Sequence, residues 1–378
     1  MIPAWLAIPL GVAMLILTWT SIVFTLVLPR GLTGPGRLTL WITRPTRSVF
    51  FGLARFARSY EGKDKVLALI GPVALLAMLA VWLLLLGAAF VVMLLPYVDD
   101  LGEDVAQVGA AMFTLGLARS PRATNDTIAI FAAASGFIVI ALQIAYLPAL
   151  YAAYNRRESL IAVLASRAGE PSWGPEILVR HQLVGIVDSL PEFYGDWELW
   201  AADFSESHAT YPVLLLFRSP DPWSSWVIAL LSVLDAAAIQ LALNPDSAPS
   251  QARLCLRMGY TALRRISEAI GWTYEADPMP DAPIRLTREE FAHAVALLED
   301  VGFPTERDAD TAWAHFRGWR VNYEELAYRW GNRVLAPPAP WSGPRTQLHE
   351  GNIAPARPPH RSPDQPGSYR RPDWRPGG

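Results

Sequence analysis

The chain reads as an all-α membrane protein: three transmembrane helices with a short re-entrant helix and loop, an α-helical cytoplasmic domain and a disordered C-terminal tail. Three patterns carry that reading. Residues 1–29, 66–98 and 127–155 hold no charged side chain, and a bilayer crossing needs only about 20 apolar residues. The loops between these runs alternate in charge. The remainder is far more polar, and its apolar residues recur at helical intervals.

At 52% hydrophobic over 378 residues, the total is only modestly above the roughly 45–50% of soluble chains, so distribution decides the class. A net charge of −3 points to no nucleic-acid partner. Cys255 is the one cysteine. This excludes a disulfide framework and a thiolate metal cluster, and the residue reads as a small buried side chain in a reduced compartment.

The first run, 1–29, predicts a retained helix rather than a cleaved signal peptide. No basic segment precedes it, and it exceeds the usual h-region of about 7–15 residues. Residues 30–65 follow as a basic linker with Arg30, Arg37, Arg44, Arg47, Arg55, Arg58, Lys63 and Lys65, opposed by Glu61 and Asp64. The loop after the second run instead carries Asp99, Asp100, Glu103 and Asp104, and Arg156, Arg157 and Arg167 follow the third. Basic loops stay in the cytoplasm. The N-terminus is therefore expected outside, with everything beyond residue 155 inside.

Within the linker, "RSVFFGLARFARSYE" sets Phe50, Leu53, Phe56 and Ala57 on one helical face and Arg47, Arg55 and Arg58 on the rest. Such a helix lies at the membrane interface near anionic lipids, or packs on the cytoplasmic domain. The second run, 66–98, is the outer helix of the next module. At about 1.5 Å per residue it reaches on the order of 50 Å, so it tilts or projects beyond the lipid.

"DVAQVGAAMF", residues 104–113, is too short to cross but suits a re-entrant helix. Asp104 would complement the dipole at its N-terminus. The chain then turns through Thr114, Leu115, Gly116, Leu117 and Ala118. Non-helical backbone at membrane depth must be buried in protein or face a watery cavity. Several copies around an axis would form such a cavity, their carbonyls replacing an ion's hydration shell.

Residues 126–155 form the expected inner helix. Gly136 lies in its outer half, Gln143 and Tyr146 are its polar candidates for facing water, and Pro148 marks a bend that is either an inner gate or a fixed kink. No crossing carries an arginine ladder, which argues against voltage sensing.

Residues 156–335 predict a helical domain. "LTREE" resembles a capping box, and Phe291, Ala294, Val295 and Leu298 follow at helical spacing. "SSWVIALLSVLDAAAIQLAL", residues 224–243, rivals the three crossings. Asp235 near its centre would be costly in lipid, so it reads as the core helix of a soluble bundle. From Ala336 to Gly378 the Pro-, Gly- and Arg-rich tail cannot bury a core and is expected disordered. The domain holds no Walker A loop, GxGxxG unit, HExxH or GxSxG, so no enzyme is expected. His181, His208, His293 and His315 lack metal-ligand spacing. "SESH" reads as a helix terminus, and the tryptophans of "YGDWELW" and "WAHFRGWRVNYEELAYRW" read as core, subunit contacts or the lining of a ligand pocket.

A crossing, a short helix, a T-x-G-like turn and a second crossing resemble the two-transmembrane pore module of the potassium-channel superfamily. The resemblance runs from about Val66 to Tyr154, with Thr114, Leu115, Gly116 and Leu117 on the family's T-[VL]-G-[YFL] positions. "YLPALYAAYNRRESLIAVLASRAGEPS" and "SESHATYPVLLLFRSPDPWSSWVIALLSVLDAAA" are similar to bacterial potassium channel family proteins, extending the likeness to about residue 335. It implies a homotetramer in the bacterial inner membrane, with a permeant ion, potassium in the family, and no other cofactor. Two departures stand out. Ala118 occupies the position of a second glycine, where left-handed backbone costs alanine about 1 kcal/mol or more. Arg119, followed by Arg122, stands where an aspartate is usual, at a pore mouth that Asp99 and Asp100 would partly neutralise. The alternative is a non-conducting scaffold or sensor that keeps the channel architecture.

Overall fold

The structure is a computed structural model that describes residues 3–28, 37–97, 100–114 and 123–343. All regular structure among the described residues is helical. The chain divides into two units, Met1–Ala54 with Val66–Ala152, and Arg55–Lys65 with Ala153–Gly378.

The first unit contains α1 (Ala4–Leu26), α2 (Arg37–Ala54), α4 (Ile70–Leu94), α5 (Leu101–Thr114) and the first part of α6 (Ala123–Ala168); α3 (Tyr60–Leu67) leads into α4. Trp82 of α4 is buried, and its indole donates to the Ser21 hydroxyl of α1 at 3.3 Å. Ile22, Phe90, Met112 and Val139 join one apolar core across α1, α4, α5 and α6. Outside that core the helices show Leu76, Leu84, Phe137 and Ile144 on their open faces. Large apolar side chains around every face suit a lipid solvent, in which a helix needs no polar side.

The linker differs from its sequence reading. α2 ends at Ala54, and Phe56 is exposed in a turn, so Phe50, Leu53, Phe56 and Ala57 do not share one helical face. Past this turn, Tyr60 and Asp64 of α3 are held by Arg218.

The second unit is built around α9 (Trp226–Leu243), with α7 (Gly174–Val184), α8 (Leu190–Thr210), α10 (Ser250–Ala269), α11 (Arg288–Asp300), α12 (Ala309–Arg320) and α13 (Glu324–Val334). α9 is apolar all round because it is covered all round. Among the described residues, four helices are long and apolar enough to cross a membrane, and α9 stands apart: 94% of its apolar window is buried inside the chain, against 28–33% for the other three. Its charge is also matched. Asp235 accepts from Arg320 at 2.5 Å and from the Tyr323 hydroxyl at 2.8 Å, and Arg320 also donates to Glu324 at 2.8 Å and to the Trp341 carbonyl at 2.8 Å. Gly174 lets α7 meet α9 closely, since a β-carbon there would stand 2.6 Å from that of Asp235.

Thr287 and Glu290 form the expected capping box at the start of α11, and Phe291, Ala294, Val295 and Leu298 are all buried. The boundary drawn at Ala336 moves. Ala336, Ala339 and Trp341 belong to the core, because Arg320 and Tyr328 both bind the Trp341 carbonyl and hold this proline-rich stretch down. The remainder of the tail, from residue 344, lies outside the described residues.

Candidate functional site

α5 is the element on which the site depends. It begins at Leu101, three residues before the helix read from the sequence, because Asp100 turns back to accept from the Gly102 amide at 3.0 Å. Asp100, placed at the pore mouth by sequence, thus starts the helix, a role suited to a short acceptor side chain. Glu103 and Asp104 follow in the first turn, where negative charge complements the helix dipole. Val108, Ala111 and Met112 turn into the core of the unit, while Val105 and Phe113 remain exposed. The helix therefore has one face committed to its own chain and one face open.

Thr114 closes α5, and α6 begins at Ala123. Leu115, Gly116, Leu117, Ala118, Arg119 and Arg122 lie outside the described residues, as does Asp99. The described frame around them is a pair of long apolar helices, α4 and α6, with a short one between them. α5 packs against α4, and α6 touches it at Gly136, where a β-carbon would stand 2.7 Å from the Met112 carbonyl.

The inner-helix residues divide by helical phase. Gly136, Val139, Gln143, Tyr146 and Leu150 lie on the face covered by the chain's own residues, while Phe137, Ala141, Ile144, Ala145 and Pro148 lie on the open one. Gln143 and Tyr146, the polar candidates for facing water, are 6% and 7% exposed, on the face covered by the chain's own residues. Their spacing of three puts them on the same stripe as Val139 and Leu150. α6 is assigned as helix without interruption through Pro148 to Ala168, well past residue 155. The glycine identified as an inner-helix feature thus serves a helix contact. The carboxylate of Asp104, Nε2 of Gln107 and Oε1 of Gln143 are buried without a hydrogen-bond partner in the chain.

Beyond the membrane-type unit, "SESH" falls in the last turns of α8, as read. His208 is buried there and faces Arg157, whose Nη1 lies 3.2 Å from its Nε2. Burial and the Arg157 charge hold this imidazole well below its ordinary range. No group of three or more His, Cys, Asp or Glu residues poised for a metal occurs among the described residues. Sequence reasoning missed the polar cluster around Arg218, which gathers Tyr60, Asp64, Val334 and Leu335 from both ends of the chain.

No protein-family model, curated protein or solved structure matches the chain.

Proposed function

We propose that the chain is one subunit of a homotetrameric, potassium-channel-like ion channel of the bacterial inner membrane, with its helical unit in the cytoplasm. The carrying observation is the order α4, α5, α6: a short helix, packed against α4 and touching α6 at Gly136, ends at Thr114, and Leu115-Gly116-Leu117 follows in sequence. One chain supplies one such turn, and a filter built from backbone carbonyls needs several around an axis. The open faces of α5 and α6 are then the surfaces that meet neighbouring subunits, the pore or lipid. The Asp104 carboxylate, Gln107 Nε2 and Gln143 Oε1, without a hydrogen-bond partner in one chain, favour an assembly in which further polar partners are at hand, because a buried unsatisfied polar group costs about 1–3 kcal/mol.

Ala118 and Arg119 favour a second reading, a scaffold that keeps the architecture without conducting. A ring of Arg119 would repel cations at the mouth, and Ala118 restricts the backbone where glycine is usual. Native mass spectrometry of the detergent-solubilised protein tests the assembly. A tetramer is expected, and a dominant dimer or pentamer would defeat the pore as described. Ion flux in liposomes separates the channel from the scaffold.

A further inference from the structure

The short segment 214–218, which runs from the end of a 3-10 helix (Pro212–Leu216) into the loop after it, is gripped from two sides, and every contact described here lies within the second unit. On its side-chain side, the Arg218 guanidinium gives Nε to Asp64 and Nη1 to the Val334 carbonyl. Nη2 reaches the Tyr60 hydroxyl at 2.7 Å and the Leu335 carbonyl at 3.2 Å. Tyr60 closes the ring by donating to Leu335 at 3.0 Å, and its own ring meets that of Trp223 at 5.2 Å. On the backbone side, Tyr154 donates to the Arg218 carbonyl at 3.0 Å. Arg157 donates to the carbonyls of Phe217 at 2.9 Å and Leu214 at 3.1 Å.

The partners share one topological property. Tyr60 and Asp64 belong to α3, whose chain continues into α4, and Tyr154 and Arg157 belong to α6. One short segment therefore holds the lead into the outer helix and the continuation of the inner helix. It also holds the end of α13, where Leu335 adopts a left-handed conformation at φ 48°. That conformation is disfavoured for a residue with a β-carbon, and here it sits where two donors converge on the Leu335 carbonyl.

Resting on the channel reading above, we propose that segment 214–218 is a clasp through which the helical unit restrains both long helices of the pore module, with Arg218–Asp64 as its latch. The pair is largely removed from solvent, so a partner lost from it leaves a buried charge uncompensated rather than slightly weakened. Such a contact is either made or broken, which is the property a two-state restraint needs. The bland reading is a local brace that stiffens α3 and nothing beyond it.

Hydrogen exchange and potassium flux, measured on the full chain in lipid bilayers, separate the two. In Arg218→Ala and Asp64→Asn, amides of α3, α4 and the Tyr154–Arg157 part of α6 are expected to exchange at least tenfold faster, with α8 to α10 unchanged. Potassium flux is expected to shift at least fivefold from the parent. Loosening confined to α3 and the segment, with α4, α6 and flux unchanged, overturns the clasp. If the parent carries no flux, the channel reading fails, and exchange in α4 and α6 still decides the clasp. Should Arg218→Ala lose protection in α8 to α10 and so fail to fold, Tyr60→Phe decides by the same readouts, because it removes only the hydroxyl linking Arg218 to Leu335.

Discussion

Gly136 on α6 lies so close to Met112 on α5 that a β-carbon would stand 2.7 Å from the Met112 carbonyl and 3.2 Å from its α-carbon. The atoms opposite are backbone, so they cannot rotate aside. Any side chain at 136 must push α5 away from α6 at Met112. Overpacking of this kind costs about 1–3 kcal/mol. Gly136→Ala is expected to lower the thermal midpoint of the detergent-solubilised protein, and Gly136→Val to lower it further. An unchanged midpoint in the valine variant would remove this contact from the account.

The Asp235–Arg320 pair yields a stability prediction. Arg320 also serves Glu324, Tyr328 and Trp341, so Arg320→Met leaves two buried carboxylates without their guanidinium. Breaking a buried pair costs about 3–5 kcal/mol, and replacing both partners by apolar groups costs less. Denaturant unfolding followed by tryptophan fluorescence should therefore rank Arg320→Met below the double variant Asp235→Leu with Arg320→Met. The reverse order would show that the pair carries no such burden.

His208 gives the pH dependence. Burial, with the positive charge of Arg157, lowers its folded pKa well below the ordinary 6.5. Folding therefore favours the neutral ring. The stability it contributes is complete above about pH 6.5 and lost as pH falls, by up to about 1.4 kcal/mol per pH unit. Asp235 acts in the opposite sense: burial, against the pull of Arg320, raises it from 3.8 to about 6, so its contribution fades as pH rises through that range. Comparing His208→Gln with the parent isolates the histidine. The parent should lose stability relative to the variant between pH 6.5 and 5, and parallel curves would contradict the assignment.

Some of this structure was legible because its causes are local. The stripe Phe291, Ala294, Val295 and Leu298 and the Thr287–Glu290 box need only helical spacing and one turn of chain. Asp235 inside an apolar run announced a partnered charge on α9, since a buried charge demands a partner, and the structure supplies Arg320 and Tyr323. Other features depend on partners distant in sequence. Nothing near Ala54 announces that α2 ends there, nor does anything near Tyr60 and Asp64 announce that Arg218 holds them. Gln143 and Tyr146 are polar enough for a pore, yet their direction is fixed by neighbouring helices rather than by their type. The proline-rich stretch from Ala336 reads as a disordered tail, yet Ala336, Ala339 and Trp341 are buried, because Arg320 and Tyr328 anchor it through a single carbonyl.

Residues 114–119 carry the filter prediction that follows from the proposed function. Ala118→Gly with Arg119→Asp restores backbone freedom and reverses the charge at each symmetric position. Charge at a pore mouth acts by setting local ion concentration, and its reach shrinks to about 3 Å at 1 M salt. Planar-bilayer recordings should show higher potassium conductance for the double variant, most clearly at low ionic strength. Equal conductance in both proteins would mean that Thr114 to Arg119 is not the filter.

The account rests on the claim that α4, α5 and α6 build a conducting pore. Potassium flux from liposomes loaded with the purified full-length protein tests that claim most directly, with protein-free liposomes beside them. A rate that rises with the protein-to-lipid ratio, and exceeds the protein-free leak at least tenfold, is the predicted result. Flux no greater than that leak, from protein shown to be folded, inserted and tetrameric, would contradict it.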